Sequence, residues 1–213
     1  MNLTVFGATG RTGTPLVGQA LEAGHRVTAV VRDRSRLSDV HPSLTVVELS
    51  ALTPHEIRTV VAGSDAVLSA LGSNRLRDAR AAVTANLTRA ITAVMAAEGV
   101  TRFLTFTSGV IAPQPHDQLW WHKHILGPSL ATILSPVYAE HRAMEEVCAT
   151  SGLDWTIFRP ARLTGGKLTG SYRTAADINL RGGTSISRAD LAQAMIAAIA
   201  DPLTIGRAIS IAY

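Results

Sequence analysis

Short apolar runs return along this chain, and the stretches between them place apolar residues three and four positions apart. The first pattern is that of strands covered on both faces, and the second is that of helices with one covered side. On this reading strands occupy residues 2–6, 26–31, 44–48, 66–70, 102–107, 155–159 and 208–212. Helices are predicted over 11–23, in a short segment after Thr53, over 78–98, from Ser135-Pro136 to Ser151-Gly152, and from Ser187 to Ala200. Local chemistry marks several of the ends. Gly24 and Gly99 follow helices where a left-handed residue is wanted. Thr53, Pro54 and Glu56 make a capping box with proline at the first helical position. Ser187 and Asp190 repeat the cap spacing, and Asp201-Pro202 stops the last helix. Within 78–98, Val83, Leu87, Ala90, Ile91, Val94 and Met95 share one face. Strands that recur with helices between them need right-handed crossovers. The expected fold is α/β: a doubly wound parallel-sheet Rossmann fold, one domain over residues 1–213.

Composition narrows the classes. A chain of 213 residues fits one α/β domain, and 46% apolar residues suffice for its core. The net charge of +4 is modest and the arginines are dispersed, which argues against a nucleic-acid partner. The one cysteine, Cys148, cannot form an internal disulfide and reads as a small buried hydrophobe in a reducing compartment. No apolar run approaches the ~18 residues of a membrane span, and the N-terminus lacks a signal-peptide pattern. The expectation is a cytoplasmic protein without a membrane partner, a monomer favoured over a dimer.

The chemistry begins at "VFGATGRTG". Gly7, Gly10 and Gly13 follow the first strand and open the first helix. In that setting the first glycine allows the tight turn, the second admits a pyrophosphate, and the third lets the helix close on the sheet. The helix start then offers free N–H donors and partial positive charge to phosphate. The spacing is G-x-x-G-x-x-G, which differs from the commoner G-x-G-x-x-G. The alternative is a turn with a structural purpose only.

The end of the second strand selects the dinucleotide. An NAD site places a carboxylate there for the ribose 2′-hydroxyl. This chain has "VVRDRSR", with Arg32 at that position and Arg36 beyond it. A guanidinium binds a 2′-phosphate bidentately, so NADP (NADPH) is the expected cofactor. Asp33 dissents; it either pairs with a neighbouring arginine or caps the next turn.

With "VVRDRSRL", "VAGSDAVLSALG", "GVTRFLTFTSG", "SGLDWTIFRPARL" and "ISRADLAQAM", the chain resembles the atypical short-chain dehydrogenase/reductases, in their NmrA-like NAD(P)-binding branch. "KLTGSYRTA" followed by "ISRADLAQAM" is most similar to the biliverdin IXβ reductase/flavin reductase group. The resemblance spans nearly the whole chain. It implies that Thr9, Gly10, Arg11, Thr12 and Gly13 hold the pyrophosphate and that Arg32 and Arg36 hold the 2′-phosphate. It places Leu71 and Gly72 at the adenosine side, Thr107 and Ser108 beside the nicotinamide ribose, and Pro160 and Ala161 at the nicotinamide amide. All end strands, where open α/β sheets bind ligands. Two stretches depart from the pattern. Glu48-Leu49 replaces a Gly-Asp pair that often faces adenine. Residues at about 112–135 match poorly and read as a remodelled segment forming a substrate lid.

Ordinary members of this superfamily use Tyr-x-x-x-Lys, in which lysine lowers the tyrosine pKa. Tyr138 and Arg142 mimic that spacing. The register common in the atypical branch instead puts Glu145 in the glutamate slot and His141 in the slot often held by lysine. Ser108 is the candidate catalytic residue, hydrogen-bonding substrate or nicotinamide; otherwise it bonds local backbone. Trp120 and Trp121 either stack on a planar substrate or bury a lid. His116, His122 and His124 have no carboxylate or cysteine arranged around them, and no metal is expected. The implied activity is NADPH-dependent reduction of a small planar acceptor: a flavin, quinone or tetrapyrrole. The alternative is a non-catalytic NADP-sensing regulator of the NmrA type.

Overall fold

The computed structural model describes residues 1–37, 41–72, 76–113 and 127–213. Its strands are β1 (Asn2–Phe6), β2 (Arg26–Val31), β3 (Leu44–Glu48), β4 (Ala66–Ser69), β5 (Arg102–Phe106) and β6 (Asp154–Pro160), followed by β7 (Arg162–Thr164), β8 (Arg173–Ala176), β9 (Ser185–Ser187) and β10 (Arg207–Ala212). The helices are α1 (Gly13–Glu22), α2 (Pro54–Val61), α3 (Leu76–Arg80), α4 (Val83–Ala97), α5 (Gly127–Ala149) and α6 (Arg188–Ala197). Eight strands form one sheet in the order β3-β2-β1-β4-β5-β6-β10-β8. All neighbours are parallel except β8, which runs antiparallel to β10 at the edge. This is the expected doubly wound Rossmann-like α/β domain.

Alternation along the strands divides the core. Leu3 and Val5 of β1 pack with Leu16, Val17 and Ala20 of α1 and with Leu191 and Met195 of α6. Phe6, one position out of phase, joins Ile57 and Val61 of α2 and Ile91 and Met95 of α4 on the opposite face. Both faces are therefore covered, which is why these strands read as continuous apolar runs. The chain leaves β1 toward β2 and β3 on one side and returns to β4 on the other. Ligands bind such sheets at that switch, outside the strands' carboxyl ends.

Several expectations need correction. The first helix starts at Gly13, leaving residues 7–12 as a loop. The long helix expected over 78–98 is broken: α3 ends at Arg80, and Ala82 takes a left-handed conformation at φ 49° before α4. The cause is remote in sequence. The buried Glu140 of α5 accepts the Thr84 N–H at 2.8 Å and so caps α4. Pro136 lies inside α5 instead of at its start. Proline's φ is helical and it removes one N–H, so a long helix packed on α3 and α4 persists through it. The segment at 112–135 is divided: 127–135 opens α5, and 114–126, with His116, Trp120, Trp121, His122 and His124, lies outside the described residues. The capping box at Thr53 and Glu56 forms as expected. The short strands β7, β8 and β9 carry no apolar run, and periodicity could not find them. Among the described residues no helix is long and apolar enough to cross a membrane. Burial pushes the Cys148 thiol up to about 12, with Glu145's charge adding, so it packs as an inert hydrophobe.

Candidate functional site

A cleft of about 420 Å³ opens at the carboxyl ends of β1, β2 and β4. Gly7, Thr9, Gly10, Arg11 and Thr12 line it after β1, Arg32 and Arg36 after β2, and Leu71 and Gly72 after β4. Three strand ends thus bring nine of the anticipated residues together. A second depression of about 440 Å³ lies between α2 and α4. It is apolar apart from His55 and Arg58 and holds none of them.

The three glycines differ in what surrounds them. Gly7 has φ +73°, and a Cβ there would sit 2.8 Å from the Ala70 carbonyl at the end of β4. A Cβ on Gly13 would fall 2.1 Å from the Gly7 carbonyl oxygen, so this glycine lets α1 close on the β1 turn. Gly10 is less confined. It lines the cleft, and the nearest atom to its Cβ would be the Gly7 oxygen at 3.1 Å. The Gly10 N–H already closes the turn onto that oxygen at 2.9 Å. The N–H groups of Arg11, Thr12 and Gly13 donate to no acceptor among the described residues. Three other helix starts are occupied: α2 by its capping box, α4 by Glu140, and α6 by Ser187, whose Oγ accepts the Asp190 N–H. The start of α1 is therefore the anion-binding end that faces this cleft. A dinucleotide phosphate fits these donors.

Arg32 and Arg36 are exposed, and their guanidiniums make no hydrogen bond or ion pair among the described residues. Asp33 feels the Arg36 charge but forms no ion pair with either guanidinium. Its Oδ1 accepts the Ser35 N–H at 3.0 Å and the Ser35 hydroxyl at 2.6 Å, capping the turn 34–36 and holding the carboxyl below its usual range. Arg34 is engaged elsewhere, its N–H on Glu48 Oε2 and its Nη1 on the Val46 carbonyl. Val30, Val31, Leu49 and Leu52 form an apolar wall of the cleft beside the Glu48-Leu49 departure.

The nicotinamide-side residues do not line this cleft. Thr107 is buried, and its Oγ1 donates to Glu145 Oε1 at 2.8 Å. Glu145 also receives Nε and Nη2 of Arg159 at 2.9 and 2.6 Å, a bidentate pair joining α5 to β6. Ser108 Oγ accepts the Val110 N–H at 3.4 Å and caps the turn 109–111, which is the local alternative weighed for it. Pro160 has no N–H, and Ala161 gives its own to Ile211 at 3.1 Å, so neither backbone position offers a free donor. Tyr138 and Arg142 form no pair with each other among the described residues. His141 is half-buried and its Nδ1 has no partner among the described residues; burial lowers its pKa while Glu140 and Glu145 oppose.

Two residues carry more than their sequence suggested. Arg188, the first residue of α6, reaches the cleft. In sequence it looks like a solvated first-turn side chain after a cap. Asp190 was legible as a capping partner only. Fully buried, it accepts the N–H groups of Thr169 and Gly170 at 2.8 Å each, the Ser187 and Thr169 hydroxyls, and the Tyr213 hydroxyl. Burial pushes its carboxyl up, but these bonds prevail and hold it at about 2.

A nucleotide cleft at the switch point of a doubly wound sheet defines a Rossmann-type dinucleotide binder. The chain belongs to the NAD(P)H-binding family, whose pattern it matches over residues 7–202. It is 29% identical over 213 residues to the uncharacterized sugar epimerase YhfK of Bacillus subtilis, covering 98% of this chain and 92% of that one. SP1627 of Streptococcus pneumoniae, provisionally named an NADH-flavin reductase, shares the fold with a TM-score of 0.80 at 23% identity, over 100% of this chain and 99% of that one. A short-chain dehydrogenase/reductase of Veillonella parvula in complex with NADP does so with a TM-score of 0.79 at 18% identity, over 100% and 94%.

Proposed function

We propose that this protein is an NADPH-dependent reductase of a planar acceptor, a flavin, quinone or tetrapyrrole, in the biliverdin IXβ reductase/flavin reductase group. The observation that carries the NADP half is the pair of guanidiniums, Arg32 and Arg36, that line the cleft of the glycine loop and have no partner among the described residues. The NADP complex of the Veillonella protein agrees with it, and the NADH-flavin reductase name of SP1627 supports a flavin acceptor while naming the other dinucleotide. When bound, NADPH supplies the hydride. The chain supplies position: the loop 7–12 and the start of α1 hold phosphate, and Phe106 and Leu163 give the cleft an apolar end. With Ser108 committed as a cap acceptor and Tyr138 paired with no base among the described residues, solvent delivers the accompanying proton.

The cofactor preference is tested by calorimetry. The native protein should bind NADPH more tightly than NADH, and Arg32→Asp should lose about 2 kcal/mol of NADPH affinity. Equal affinities in the native protein would sink the NADP assignment. The activity is tested by following NADPH oxidation with FMN as acceptor. Tyr138→Phe should change the rate by less than about tenfold, below the range for losing a general acid. Ser108→Ala should cost more, because its hydroxyl proton remains free at the β5 end. A deader Tyr138→Phe would restore the tyrosine mechanism. Tight NADPH binding with no turnover on any planar acceptor would favour the NmrA-type sensor.

A further inference from the structure

Four arginines line the cleft, Arg11, Arg32, Arg36 and Arg188, against one carboxylate, Asp78. They come from different places. Arg32 and Arg36 follow β2, while Arg11 stands in the glycine loop and Arg188 opens α6. The placement of Arg188 is fixed by its surroundings. α6 packs along α1, and Gln19 Nε2 of α1 donates to the Ala189 carbonyl at 3.0 Å. On the other side Ser187 is held by Asp190 and by the Tyr213 hydroxyl, which accepts the Ser187 N–H at 3.1 Å. The backbone on both sides of Arg188 is therefore anchored beside the glycine loop.

Its side chain has no such anchor. Arg188 is half-buried and makes no hydrogen bond or ion pair among the described residues, and neither does Arg11. Burial and the nearby Arg11 charge both disfavour the Arg188 cation. Two like charges brought together in a cleft, one partly desolvated, cost free energy unless an anion lies between them. The donors open at the start of α1 face the same space.

We infer that Arg188 and Arg11 form a second anion subsite in this cleft, closing on the dinucleotide pyrophosphate from the α6 side while Arg32 and Arg36 take the 2′-phosphate. The inference rests on the dinucleotide reading above. The charges agree: a pyrophosphate diester brings two negative charges and a 2′-phosphate nearly two. The two subsites would have different jobs. Arg32 and Arg36 would choose NADP over NAD, and Arg188 would add affinity for either.

Calorimetry with three ligands separates them: NADP⁺, NAD⁺ and adenosine 2′-monophosphate, which has the 2′-phosphate but no pyrophosphate. Arg188→Gln should weaken NADP⁺ and NAD⁺ alike, by about tenfold or more, as loss of a charge-assisted contact does. It should leave adenosine 2′-monophosphate unchanged, and Arg188→Lys should recover part of the loss. Arg32→Gln should show the converse, weakening NADP⁺ and adenosine 2′-monophosphate and sparing NAD⁺. Circular dichroism of Arg188→Gln should match the native protein, because the side chain it replaces bonds to none of the described residues. Dinucleotide affinities within about twofold of native in Arg188→Gln would overturn the inference. So would an equal loss for adenosine 2′-monophosphate, which would make Arg188 part of the 2′-phosphate site. A native protein that binds neither dinucleotide would overturn the functional reading itself, and this subsite with it.

Discussion

Gly13→Ala should destabilise the protein by about 3 kcal/mol or more, whereas Gly10→Ala should cost less than about 1 kcal/mol. Both positions belong to one glycine series, and the difference lies in what a methyl group would meet. At Gly13 it would lie 2.1 Å from the Gly7 oxygen, 2.8 Å from the Gly7 carbonyl carbon and 2.9 Å from the Ala8 carbonyl carbon. All three are backbone atoms of the turn that joins β1 to α1. Relief requires moving α1 off the sheet, and α1 carries Leu16, Val17 and Ala20, each fully buried. At Gly10 the nearest atom is 3.1 Å away, which a shift of a few tenths of an ångström accommodates. Gly10→Val would still fill part of the cleft and abolish NADPH binding in a folded protein. Urea midpoints of the two alanine variants decide the matter. A Gly13→Ala protein as stable as native would refute the close-packing role of the third glycine.

How much of this was visible in the sequence depended on how local the cause was. The strands β1, β2, β4 and β5 were legible because both sheet faces are covered and their apolar runs are interrupted only by a single threonine, if at all. The box at Thr53 and Glu56 was legible because its partners are three residues apart. The arginines after β2 were legible because a site is defined there by position on the strand. The break between α3 and α4 was not, because no glycine or proline marks it and its cap, Glu140, lies 56 residues beyond Thr84. Ala161 could be placed at the end of β6, but that its N–H is bonded to Ile211 of β10 follows only from the sheet order. Arg188 was invisible for the same kind of reason. Its importance depends on α6 lying beside α1, which nothing within "ISRADLAQAM" records.

Asp190 is where local reading fell furthest short, and its replacement should have the second large effect. The cap it shares with Ser187 is only part of its work: Asp190 also ties the 169–170 backbone and Tyr213 to the start of α6. Asp190→Asn keeps the shape but turns an amide NH₂ toward groups that are themselves donors. Buried donors left without an acceptor should cost about 3 kcal/mol in all at neutral pH. The native carboxyl has its pKa lowered from 3.8 to about 2. A depressed acid stabilises the fold above its unfolded pKa and loses that contribution as pH falls through the folded one. The native protein should therefore shed about 2 kcal/mol from this group between pH 4 and pH 2, at about 1.4 kcal/mol per unit. Asp190→Asn, with nothing to titrate there, should start lower at pH 7 and show a shallower acid limb. Chemical denaturation at pH 7, 4 and 3 measures both features. Acid limbs of equal steepness would show that the stability lost in acid comes from other carboxylates, and an Asn variant as stable as native at pH 7 would deny Asp190 its place as the buried acceptor that holds Arg188 and the 169–170 loop in position.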